Sequence, residues 1–179
     1  MTREATDVAS AIMALDDDFG YWVWTTKVSS RAAVQQLEAD LGVSLPSDYL
    51  EFVVAHGAIA VQAKQEVWQR PKPYAVGPRW AHDYGLEVYG IAAEVPPPLD
   101  IRDRRRRLID DGVTGLTPLA GVVGSGATLA LDESGRFVWL HGGELEPAAG
   151  TFTSILLEFI ERLKADKEKA KQAGPNLWT

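Results

Sequence analysis

Three histidines, one serine between glycines and a run of three aspartates are the residues of this 179-residue chain that could do chemistry. His56, His82 and His141 lie far apart, and none sits in an H-E-x-x-H or other paired-ligand spacing. His82-Asp83 is the one local histidine–carboxylate pair, and side chains adjacent in sequence rarely face each other. Gly124-Ser125-Gly126 lacks the extra residue on each side of the serine that a nucleophile elbow needs. The glycines Gly121, Gly124 and Gly126 are followed by no Lys-Ser or Lys-Thr, so they form a bend before a hairpin and not a phosphate-binding loop. Asp16-Asp17-Asp18 lacks the glycine and glutamate spacing of a calcium loop, which leaves a solvated turn or a patch for a cationic partner. With no cysteine there is no thiolate ligand, thiol nucleophile or disulfide. The expectation is a chain with no catalytic residue, no bound metal and no cofactor.

The elements that position these residues follow from periodicity and punctuation. Val34, Leu37 and Leu41 make one helical stripe, with Ser29 or Ser30 to cap it and Gly42 to stop it. A second helix opens at Pro46, with Ser47 and Asp48 near its first amides, and ends at Gly57. Ahead of the pair, residues 1–18 read as a helix and 19–24 as a strand. After it, alternation over 59–68 predicts a half-exposed antiparallel strand, and 86–92 a further one. Strands at 116–123 and 128–131 lead through Asp132-Glu133-Ser134-Gly135 into 136–141, and Thr151 starts a helix whose stripe ends at Leu163. Beyond Leu163 the Lys- and Ala-rich chain carries no apolar stripe, so it is expected to project or fray.

Leu41, Gly42, Leu45, Pro46, Asp48, Tyr49, Phe52, His56 and Gly57 spell L-G-x-x-L-P-x-D-Y-x-x-F and the helix end that follows it. Leu131, Asp132, Gly135 and Val138, then Thr151, Phe152, Phe159 and Ile160, supply a matching hairpin and helix start in the expected order. This string resembles the SUKH superfamily, the Smi/Knr-type domain, over residues 29–163. Two departures are Ala58, where the pattern has a second glycine, and Ala127, where many members carry a polar residue. The resemblance implies an α+β fold, a single mostly antiparallel sheet flanked by helices. Residues 1–28 are then an N-terminal helix-and-strand extension, and 164–179 a charged C-terminal tail.

Composition bounds the partners. The net charge of −7 disfavours nucleic acid and favours basic surfaces. The arginine run Asp100–Asp111 is laced with acids: Asp100 with Arg104, Asp103 with Arg107 and Arg106 with Asp110 all fall at i,i+4, which reads as a salt-bridged helix face. No stretch approaches the roughly 20 apolar residues of a membrane span, and the N-terminal run contains Ser10 behind Glu4 and Asp7, unlike a signal peptide. A cytoplasmic protein is the default. Between Gln69 and Tyr84 an irregular, proline-broken segment carries Tyr74, Trp80 and Tyr84, with Trp68 just before it. These aromatics either anchor a partner or close inward as a lid.

For bacterial-type members, the resemblance implies a non-enzymatic immunity protein that occludes a cognate toxin protein, a nuclease or deaminase. Regulatory or scaffold modules are the alternative. The residues expected to meet the partner are Asp16, Asp17, Asp18, Trp68, Trp80 and Asp83.

Overall fold

In a computed structural model that describes residues 3–24, 30–91 and 94–178, the helical pair forms as its punctuation predicts. After α1 (Arg3–Met13) and β1 (Phe19–Trp24) come α2 (Arg31–Leu41) and α3 (Ser47–His56). Ser30 caps α2 through the Ala33 amide, and Gly42 stops it at φ 67°. The alternative cap Ser29 and the end of the expected 86–92 strand at Ala92 lie outside the described residues.

The remaining elements are β2 (Ile59–Ala63), β3 (Asp83–Val88), α4 (Ile101–Asp110), β4 (Thr117–Gly124), β5 (Thr128–Leu131), β6 (Phe137–His141), β7 (Glu144–Pro147) and α5 (Phe152–Ala173). Among the described residues seven strands form one antiparallel sheet in chain order, β1 at one edge and β7 at the other. The protein is therefore α+β. β2 is buried on both sides at Ala60 and stops at Ala63, where a turn begins, so it is shorter and more enclosed than its alternation suggests.

Helices α1, α3 and α5 pack against one another over one face of the sheet. Their core includes Ile12, Tyr49, Phe52, Phe152, Leu156 and Ile160 against Ile59, Val61, Leu86 and Leu129. On the opposite face, Leu108 of α4 closes a small cluster of Leu116, Ala130 and Val138.

Two residues of the L-P-x-D-Y string hold the layers together. Buried Asp48 accepts the Thr153 amide at 2.8 Å with one oxygen and the Tyr49 amide at 3.1 Å with the other. Its main task is thus capping α5, 105 residues away, as well as serving its own helix. The Tyr49 hydroxyl donates to the Tyr89 carbonyl at 2.8 Å. Burial pushes the Tyr49 phenol far above the usual tyrosine range, so it donates throughout physiological pH. Asp48→Ala strips a buried amide of its acceptor and is expected to cost about 1–3 kcal/mol. Urea unfolding followed by circular dichroism checks this, with Asp48→Asn losing less.

The C-terminal segment does not project. α5 runs on to Ala173, with Asp166, Lys167 and Ala170 buried. Beyond it, Leu177 is buried and the Trp178 indole donates to the Gln69 carbonyl at 2.7 Å. The physical reason is electrostatic: the inward face of this stretch is charged, and its counter-charges arrive from the other end of the chain.

Candidate functional site

Trp68 organises the segment that leads to the site. It is fully buried, donates from its indole to the Ala81 carbonyl at 2.9 Å, and packs on Trp80 and Tyr84 with centroids 6.1 and 6.5 Å away. Arg70 lies 3.8 Å over the outer face of this group, on the Tyr84 ring. Trp68 is therefore withdrawn as a partner-facing residue: it folds inward because the indole's polar edge finds its acceptor there. Tyr74, at the tip of the segment, is fully exposed and holds a positive φ of 67°.

The single turn Arg79–His82 that Trp68 fixes delivers Asp83 to the start of β3. Gly124 makes this approach possible. It lies opposite Asp83 at φ 111°, and a Cβ there would stand 1.8 Å from the His82 carbonyl oxygen. Trp178 presses on the same turn from outside, its ring 4.8 Å from that of His82.

A cleft of about 420 Å³ opens here, lined by Arg79, Trp80, Asp83, Trp139, His141, Glu146 and Arg162 over a floor that includes Val122 and Ala127. Trp139 is held by Phe159 of α5 at 6.1 Å. Pairing of β6 with β7 sets Glu146 opposite Trp139. The charges are arranged by depth. Asp83 is 14% exposed and Arg162, its partner at 3.6 Å, 56%. Arg79 (64%) and Glu146 (56%) meet across the rim at 4.0 Å. Both contacts are too long for hydrogen bonds. Asp83 Oδ1 and His141 Nδ1 are buried with no hydrogen-bond partner among the described residues.

Of the residues expected to meet a partner, Trp80 and Asp83 line this cleft together, while the aspartate run lies elsewhere. Asp17 is exposed, but Asp16 and Asp18 are tied to α5. The Lys167 ammonium bonds Asp16 and lies 3.0 Å from Asp18 and 2.9 Å from Glu168, and Lys171 reaches Asp18 at 2.9 Å. Asp16, Asp18 and Glu168 have the spacing of a cation site, and the Lys167 ammonium already occupies its centre. Hydrogen bonds from Lys171 and then Lys167 hold the Asp18 carboxyl below its usual range. Burial pulls the Lys167 ammonium downward, but hydrogen bonds to Asp16, Glu168 and Asp18 outweigh it and leave the group raised. An open acidic patch is thus reduced to Asp17.

The arginines of α4 are also engaged. Asp103 holds both Arg106 and, at 3.2 Å, Arg107; Asp100 holds Arg102. Arg104 turns to Glu87 on the sheet and Arg105 to the Leu41 carbonyl. The expected pairs Asp100–Arg104 and Arg106–Asp110 are replaced by these shorter-range or tertiary partners.

Trp139, Glu146, Arg79 and Arg162 stand in no motif that marks them as site residues, and His141, one of the three histidines weighed above, reaches the cleft without any ligand spacing. Only β7 carries a local signal, the Gly142-Gly143 turn with φ 57° and 89°, which returns the chain beside β6. Among the described residues no helix is long and apolar enough to cross a membrane. Comparison with protein-family models finds no match, and comparison with curated proteins finds no significant one.

Proposed function

We propose that this protein is a non-enzymatic, immunity-type binding protein of the cytoplasm, which neutralises a cognate toxin by covering it. The observation that carries this reading is the fate of the cations. Every basic residue of α4 and every basic residue of α5 from Arg162 to Lys171 is engaged with an acid or carbonyl of the same chain. The surplus of −7 is left on exposed carboxylates such as Asp17, Asp110, Asp111 and Glu144. Such a surface attracts the basic substrate cleft of a nuclease or deaminase and speeds its capture, while half-buried aromatics lengthen the life of the complex. The resemblance to the SUKH superfamily supports the same reading.

Co-expression with the toxin encoded beside this chain tests it. Growth rescue with a complex recovered by pull-down is expected; toxicity unrelieved and no complex would count decisively against immunity.

A further inference from the structure

We propose that the cleft between the Arg79–His82 turn, β6, β7 and α5 takes the guanidinium of an arginine side chain presented by a protein partner. This rests on the binding reading above and names what the partner inserts. The cleft has room for it, since about 420 Å³ lies within the roughly 300–1,000 Å³ of small-molecule pockets.

The chemistry follows from the depth of each group. The unmet demand at the bottom is for donors: among the described residues Asp83 Oδ1 has no donor, and Arg162 stands 3.6 Å from the carboxylate's other oxygen. The walls are the indoles of Trp80 and Trp139. At the rim, two arginines with more than half their surface exposed make only long contacts and have donors to spare. An occupant must therefore carry several donors at its tip, tolerate aromatic walls, and offer acceptors further back.

An arginine in an exposed loop meets all three conditions. Its planar fork donates to the Asp83 carboxylate, its charge is favoured over an indole face, and the peptide carbonyls behind it meet Arg79 and Arg162. A free anion satisfies the rim and leaves the bottom worse than before, with a second negative charge near Asp83. The inserted charge also matches the basic partner that an acidic surface attracts.

The test is titration of the ¹⁵N-labelled full chain with Nα-acetyl-arginine amide, its neutral isostere Nα-acetyl-citrulline amide, and inorganic phosphate. Saturable shifts of the Trp80 and Trp139 indole resonances with the arginine probe, and none with citrulline, are expected. Asp83→Asn should weaken binding about 10- to 100-fold, the loss of one charged hydrogen bond. Trp139→Leu, away from the buried carboxylate, should weaken it as well, with the rest of each spectrum reporting that the fold is kept. Shifts with phosphate and not arginine, or no shift with the arginine probe at high millimolar concentration, would overturn the assignment. Toxin rescue by the wild-type chain and undiminished rescue by Asp83→Asn would sink the arginine pocket while leaving immunity standing. Absence of rescue by the wild type, with the arginine shifts intact, would sink immunity alone.

Discussion

Trp68→Ala is expected to destabilise the fold by about 3–5 kcal/mol, the range for deleting a large buried aromatic. In a domain of this size that lowers the melting temperature by roughly 6–20 °C, measurable by calorimetry. The loss has two parts. Removing the indole leaves a cavity beneath Trp80 and Tyr84, and it orphans the Ala81 carbonyl that the indole N–H satisfies. Trp68→Phe separates them, since it refills most of the space and leaves only the carbonyl unpaired, at about 1–3 kcal/mol. Because Ala81 lies within the turn that aims Trp80 and Asp83, both variants should also disturb the Trp80 indole resonance. An unchanged Trp80 environment in Trp68→Ala would mean that the turn is fixed by something else, such as Trp178.

Lys167→Ala ranks next, at about 2–4 kcal/mol at neutral pH, between the values for an exposed pair and a buried one. The buried ammonium touches Asp16, Asp18 and Glu168, which lie close enough together to repel once it is gone. The pH dependence has a definite sign. Asp18's carboxyl is depressed in the folded protein, so its contribution is present above the ordinary value of 3.8 and is lost as pH falls through the lowered one. Lys167's ammonium is raised, so its contribution is full below the ordinary 10.5 and is lost as pH climbs through the raised value. Lys167→Ala lacks the part of Asp18's contribution that the ammonium supplies, so the deficit against wild type should shrink as pH falls below 3.8 in urea titrations. A deficit that stays constant or grows toward acid would show that the lysine acts through its packing alone.

Much of the fold was legible because its signals are local. The pair α2–α3 follows from a helical stripe, a serine cap and Gly42, all within a few residues of one another. The β5–β6 hairpin follows from Asp132, whose carboxylate accepts the amides of Ser134 and Arg136 and so closes the turn. The second half of α5 was illegible because Asp166 and Lys167 stand where a stripe would place apolar residues, and Asp16, which helps stabilise Lys167, lies 151 residues away. β7 lacks β-branched residues and rests on the Gly142-Gly143 turn and its pairing with β6. The cleft was half visible. Trp80 and Asp83 are neighbours in an irregular segment, whereas Trp139, His141 and Arg162 reach it from β6 and α5, a convergence that no spacing along the chain encodes.

The two ends of the sheet carry a consequence for crowded conditions. A row of open amides and carbonyls invites a second molecule to continue the ladder into fibrils. At one border, the register of β1 slips between Tyr21 and Val23, which breaks the flat template a neighbouring strand would copy. At the other, β7 is four residues long, fully solvated, bears Glu144 and Glu146, and ends in a proline that has no amide to give. Sequence changes that straighten the one or neutralise the other should promote end-to-end polymerisation before they weaken the monomer.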